Sequence, residues 1–142
     1  MNKRIQKFIT ENKVLTMCTS KENVPYCASC CYAYDEENQL LIFSSENHTR
    51  HIEEAIKNSQ VAGTINTESK TVAKIQGIQF KGEFIIPNEE QQSNYYQIYY
   101  KKFPFAKAMK APIWAIELTW IKMTDNTLGF GKKLEWESEY NE

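Results

Sequence analysis

Leu40-Leu41-Ile42-Phe43-Ser44-Ser45-Glu46-Asn47-His48-Thr49-Arg50-His51-Ile52 is the stretch whose reading decides the fold. Its first four residues are an apolar run of the length of a buried strand. Polar residues follow at once, and Ile52, Ala55 and Ile56 then recur at helical spacing. Thr49 and Asn47 are candidate caps, because their side-chain oxygens can accept from the first free helical N–H groups. A strand that empties into a helix start aims several N–H donors and a positive dipole end at one spot. Ser44, Ser45, Thr49 and Arg50 around that spot make a candidate phosphate site. The plainer alternative is ordinary capping residues and a surface arginine.

The chain has 142 residues, enough for one domain with a sizeable core, and residues 1–142 are read as a single domain. Seventeen basic residues against eighteen acidic ones leave no long-range pull toward nucleic acid or an anionic membrane. Aromatics, at 13%, suit a barrel core and equally a pocket that stacks a flat ring. Met1 to Glu11 is a charged amphipathic segment unlike a signal peptide, and no apolar run reaches membrane-spanning length. A cytoplasmic protein is expected.

Cys27-x-x-Cys30 has the spacing of half a zinc or redox motif. It lies in Tyr26 to Tyr34, which reads as a strand, where positions three apart face opposite sides. Structural, reduced cysteines are therefore expected, with a cross-strand contact between Cys18 and Cys27 as the exception to examine.

Outward from the central stretch, Asn2 to Asn12 carries Ile5, Phe8 and Ile9 on one helical face. Val14 to Thr19 and Tyr26 to Asp35 read as a hairpin about a turn at Lys21 to Pro25, and Asp35 to Asn38 turns the chain into the Leu40 strand. Val61 to Asn66 is a strand. Thr71 to Ile86 is the longest extended segment, with neither face cleanly apolar, which predicts a bulge at Gly77. Asn88 opens a helix to about Lys102, whose tyrosines are too many for one face and predict a partner or ligand along part of it. Ile113 to Met123 and Leu128 to Trp136 are predicted strands, followed by an acidic tail from about 137. This order of elements argues an α+β fold on a closed, mostly antiparallel, Greek-key-like sheet with flanking helices.

Five segments then carry a resemblance: Thr49-Arg50-His51, Val61-Ala62-Gly63-Thr64, Ile78-Gln79-Phe80-Lys81-Gly82-Glu83, Ala111-Pro112-Ile113-Trp114 and Thr124 to Lys133. With them, nearly the whole chain resembles the FMN-binding split barrels related to pyridoxamine 5'-phosphate oxidase, and within these the small bacterial YhbP-like proteins. The resemblance implies a split β-barrel homodimer with flavin in clefts between the subunits. In the oxidases a strand ends in a hydroxyl residue and the next helix opens with Ser-Arg-Lys, which grips the FMN phosphate. Ser44 matches that hydroxyl residue, Thr49 the Ser and Arg50 the Arg, while His51 replaces the Lys. The oxidases carry an Arg and a Lys on the preceding strand where this chain has Cys27 and Tyr32. Loss of those charges removes charge-assisted hydrogen bonds of roughly 1.5–3 kcal/mol each.

Lys74, Gln79 and Lys81 are candidates for hydrogen bonds to the flavin ring, and Lys132, in Gly129-Phe130-Gly131-Lys132-Lys133, for closing the cleft. That run is not a Walker A loop: Asn126 stands where its first Gly belongs and Lys133 where Ser or Thr belongs. The implied activity is flavin-dependent oxidation or reduction of a small molecule, with FMN as the cofactor supplying the hydride chemistry and no metal. Two other readings stay open. One is a non-enzymatic flavin- or haem-binding or sensing protein, for which His48 and His51 are candidate ligands. The other is a cofactor-free dimeric interaction protein.

Overall fold

Glu22 and Asn23 take φ of 51° and 67°, the left-handed pair that a two-residue hairpin turn requires. The turn is therefore shorter than the Lys21 to Pro25 segment expected. It joins β1 (Val14–Lys21) to β2 (Val24–Asp35), with Pro25 inside the strand. The structure, a computed structural model, describes residues 1–139. Glu137 belongs to the last strand, and residues 140–142 of the expected acidic tail lie outside the described residues.

The strands continue as β3 (Leu40–Ser44), β4 (Gln60–Asn66), β5 (Gln76–Ile85), β6 (Ile113–Asp125) and β7 (Lys133–Glu137), all in antiparallel pairs. Their order is β3-β2-β1-β4-β5-β6-β7, and β3 also pairs with β6. That extra pairing, Leu40 opposite Glu117 through Ser44 opposite Ile113, closes β1 to β6 into a ring. β7 hangs on β6 alone. The result is a single-domain α+β split barrel, as the order of elements predicts.

Burial explains the unbroken apolar run at Leu40. Leu41 and Phe43 face the barrel core with Leu15, Met17, Ile65, Phe80 and Ile116. Leu40 and Ile42 face outward, where α3 (Glu89–Lys102) lays Tyr95, Tyr99 and Phe103 on them. A strand covered on both sides has no polar alternation to show. Asn88 and Gln91 start α3 with reciprocal side-chain-to-backbone bonds of 2.8 and 3.0 Å. α1 (Lys3–Glu11) seats Ile5, Phe8 and Ile9 in the barrel core, as predicted.

Two expectations are corrected. Thr71 to Ile86 is not one strand: Val72–Lys74 forms a 3-10 helix, and from Gln76 onward β5 alternates cleanly, with Ile78, Phe80, Gly82 and Phe84 inward. Gly77 pairs regularly with Asn66 and Thr124. The irregularity lies on the neighbouring strand. Lys81 opposes Trp120 and Gly82 opposes Leu118, so Thr119 is the extra residue. Likewise Leu128 to Lys132 is not strand. Asn126–Leu128 forms a 3-10 helix, and Gly129 and Gly131 turn the chain at φ of 135° and 73° before β7.

Gly63 is fixed by packing, because a Cβ there would stand 2.1 Å from the Thr16 carbonyl oxygen and 2.4 Å from the Phe80 ring. Gly63→Ala should lose about 1–3 kcal/mol in urea unfolding, as overpacked cores do. An unchanged midpoint would show that β1 and β4 are not this close. Asp125 is fully buried, accepting from Thr127 and, at 3.4 Å, from Arg4 of α1. Burial raises its pKa, but the Thr127 and Gln76 hydrogen bonds and the Arg4 charge outweigh this and hold it below the usual carboxyl value. Its stabilisation is thus present above the ordinary carboxyl range and fades as pH falls through the lowered value. Asp125→Asn should flatten the loss of melting temperature below about pH 4; an equally steep acid limb would assign that loss to other carboxylates.

Candidate functional site

β3 ends at Ser44, and the chain crosses the rim of the barrel to α2 (Arg50–Lys57), which buries Ile52, Glu54 and Ala55. Thr49 holds the N-cap position, yet its side chain makes no cap bond. Its Oγ1 donates to the Glu46 carbonyl at 2.8 Å, and Asn47 caps nothing among the described residues. The first-turn N–H groups of α2 are left without the side-chain acceptor expected of Thr49 or Asn47.

Three candidate residues meet at this junction. His51 Nε2 lies 2.7 Å from Ser45 Oγ and 3.5 Å from Thr49 Oγ1, with Cys30 Sγ at 3.9 Å. Burial lowers the His51 pKa from its ordinary value, so the ring is neutral at pH 7. Ser44 is adjacent but committed, its hydroxyl donating to the Pro112 carbonyl at 2.9 Å. Trp114 Nε1 donates to the Ser45 carbonyl at 2.9 Å, and Ser45 N donates to Pro112 O at 3.1 Å. Pro112 and Trp114 therefore hold the Ser44–Ser45 backbone in place.

Arg50 points elsewhere. Its Nε donates to Glu54 Oε2 at 2.9 Å, and its guanidinium lies 4.2 Å above the Tyr26 ring. Glu54 is 4% exposed, and its Oε1 has no partner among the described residues. Arg50 is thus the countercharge of a buried carboxylate. Gln79 and Lys81 stand on the outer face of β5, opposite Lys122 and Trp120, with Lys81 Nζ 5.4 Å from the Trp120 ring centre. Lys132 is exposed in the turn before β7, its carbonyl accepting from Asp125 N at 2.9 Å. Asp125 ends β6 while Trp114 and Ser45 mark its beginning, so the chain does not gather all eight candidates around one point.

Tyr32, where the resemblance to the oxidases would expect a lysine, is buried and donates to the Ile9 carbonyl at 2.6 Å. It fastens α1 and takes no part in the junction. His48, the other candidate ligand, precedes α2 in an exposed turn and shares no helical face with His51. Among the described residues no three His, Cys, Asp or Glu side chains form a metal cluster.

Pro112 and Trp114 also line a groove of about 440 Å³ with Ile86, Pro87, Tyr96 and Lys110. It shares Gln92, Tyr96 and Lys110 with an open groove of about 800 Å³, which Glu89, Lys101 and Lys107 also line and where Tyr96 and Tyr100 stack at 5.4 Å. Lys110 Nζ sits 4.9 Å from the Tyr96 ring centre. Aromatic walls with a lysine border suit a planar anion. Pro112, Trp114 and Tyr96 are functional candidates that reading the sequence missed as a group. Their convergence depends on the β3–β6 register, for which no local signal exists.

The closed antiparallel ring with helices at its rim and side is the split-barrel fold of the pyridoxamine 5'-phosphate oxidase-like proteins. A solved heme binding protein from Mycobacterium smegmatis superposes with a TM-score of 0.77 at 12% identity, over 96% of this chain and 59% of that one. The chain thus spans less than two thirds of that protein. A FAD-binding protein from Mesorhizobium loti superposes with a TM-score of 0.70 at 14% identity, over 87% of this chain and 94% of that one. Identities this low show a shared fold. No protein-family model matches the chain. A UPF0306 protein of Yersinia pestis is 44% identical over 132 residues, covering 93% of this chain and 90% of its own. The chain belongs to the UPF0306 family.

The Arg50–Glu54 pair makes a separable prediction. Arg50→Ala leaves a buried carboxylate uncompensated and should lower stability by about 1–3 kcal/mol, with Arg50→Ala/Glu54→Gln recovering most of it. Equal losses in the single and double variants would show that the two side chains are not coupled.

Proposed function

We propose that the protein is a homodimeric, FMN-binding flavoprotein of the YhbP-like kind, an oxidoreductase acting in the cytoplasm on a small molecule. The observation that carries this reading is the β3–α2 junction, where uncapped helical N–H groups, two hydroxyls and a neutral imidazole face one spot. The helical N–H groups and the Ser45–His51 pair can donate to a phosphate, Thr49 only by giving up its bond to the Glu46 carbonyl, and the helix dipole favours an anion there. Bound flavin would supply the hydride and electron chemistry. Ser45, Thr49 and His51 would hold its phosphate, with Ser44 setting the rim through Pro112. Gln79, Lys81 and Lys132 lie outside this cluster in the same protomer, and a second protomer would present them to the ring. The groove along Tyr96, Lys110 and Trp114 would take the small-molecule substrate.

The donor set fits a phosphate but lacks free positive charge, since Arg50 is engaged by Glu54. This supports weak, readily exchanged FMN binding. Glu54→Gln should release Arg50 toward the junction and tighten FMN binding about tenfold, the equivalent of one charge-assisted hydrogen bond. Weaker binding would mean that the Arg50 position, held by Glu54, already serves the cofactor. Protonation of His51 adds a positive charge, and because burial lowers its pKa this contribution should grow only as pH falls through that lowered value. Comparison of the protein with His51→Asn in FMN titrations at several pH values reads this contribution directly. A constant difference would remove the imidazolium from the site.

The decisive experiment is a visible absorption spectrum before and after FMN addition and gel filtration. A retained flavin spectrum that nicotinamide cofactors can bleach supports the oxidoreductase. A retained flavin that they cannot bleach supports a binding or sensing role. A Soret band on adding haem, or no retained chromophore, overturns the flavin reading.

A further inference from the structure

The β1–β2 hairpin places Cys18 directly opposite Cys27. Its two-residue turn makes Lys21 and Val24 a hydrogen-bonded pair, and such pairs recur at every second position. Tyr32 N donating to the Lys13 carbonyl at 2.9 Å falls in the same phase. Cys18 and Cys27 therefore form a non-hydrogen-bonded pair, the kind in which the α-carbons come closest and the side chains touch. Their sulfurs are 3.2 Å apart on the outer face of the barrel, Cys27 exposed and Cys18 half-buried. Closing that gap to a disulfide bond of about 2.05 Å needs only a small rotation of each side chain.

The other thiols are placed differently. Cys30 points to the core, where burial pushes its thiol up to about 11. Cys31 is exposed but four residues further along β2, about 13 Å from Cys27. Cys18 is likewise pushed up to about 11 by burial and by the Cys27 thiol, so it is a poor first nucleophile.

We propose that Cys18 and Cys27 are a redox pair that exchanges reversibly with low-molecular-weight disulfides, independently of any flavin. The Cys27 thiolate attacks such a disulfide, forming a mixed disulfide and releasing one small thiolate. Cys18 then gives its proton to solvent and attacks Cys27 Sγ, forming the cross-strand bond and expelling the second small thiolate. The protein loses two electrons and two protons, and the small disulfide is reduced to two thiols. The bond stitches β1 to β2 on the face where Ala62 and Lys81 are the next residues in the row.

The test exposes the full-length reduced protein to oxidised glutathione, followed by alkylation and mass spectrometry. Two of its four thiols should be lost, with the Cys18 and Cys27 peptides joined and no glutathione retained. Cys31→Ser should behave identically, and Cys18→Ser should hold glutathione on Cys27 as a stable adduct. Reduction with dithiothreitol should restore all four thiols. Glutathione held stably on Cys27 of the unaltered protein, a bond through Cys30 or Cys31, a bond only between two copies, or no oxidation would each overturn the proposal.

Discussion

The pairing of β3 with β6 is the constraint on which the structure depends. Without it the sheet is an open ribbon with two edges; with it, β1 to β6 close on themselves and a core fills the interior. The closure also fixes a second, outer core, because α3 can cover only strands that lie side by side. Tyr95, Tyr99 and Phe103 bridge β2, β3 and β6 there. The same register brings Pro112 and Trp114 to the end of β3, so the rim of the candidate site is a product of barrel closure.

At that rim two electrostatic arrangements compete for one arginine. Glu54 is buried, and a buried carboxylate without a countercharge is costly, so Arg50 is drawn along α2 and away from the junction. What remains at the helix start is a neutral cradle of hydroxyl, imidazole and amide donors. Such a cradle would hold an anion by directed hydrogen bonds, with little long-range attraction.

Much of the fold was legible because single elements announce themselves locally. The Leu40 run, the Ile5, Phe8 and Ile9 stripe and the Asn88 cap each carry their signal within a few residues. The features that escaped are set by a neighbour. The mixed faces of Thr71 to Ile86 suggested a bulge at Gly77, yet the extra residue is Thr119 on the paired strand. Gly129 and Gly131 resemble strand interruptions in sequence but form a turn before a shorter strand. The site was half legible. Ser45 and Thr49 follow from strand-then-helix order and His51 from the resemblance to the oxidases, while the destination of Arg50 needed the burial of Glu54. The four-residue spacing of Arg50 and Glu54 was visible, but the depth of Glu54 was not.

α1 is held almost wholly by groups that come later in the chain. The Ile9 carbonyl receives Tyr32, 23 residues on; the Thr10 and Asn12 carbonyls receive Lys102; and Arg4 reaches Asp125, 121 residues on. Tertiary partners, more than local propensity, stabilise so short a helix in water. Its full set of contacts is complete only when β2, the end of α3 and the end of β6 are together. Contacts of such long sequence separation slow folding. The Ile5, Phe8 and Ile9 face is thus shielded by residues spread along almost the whole chain, and wherever those are apart it is open to other chains.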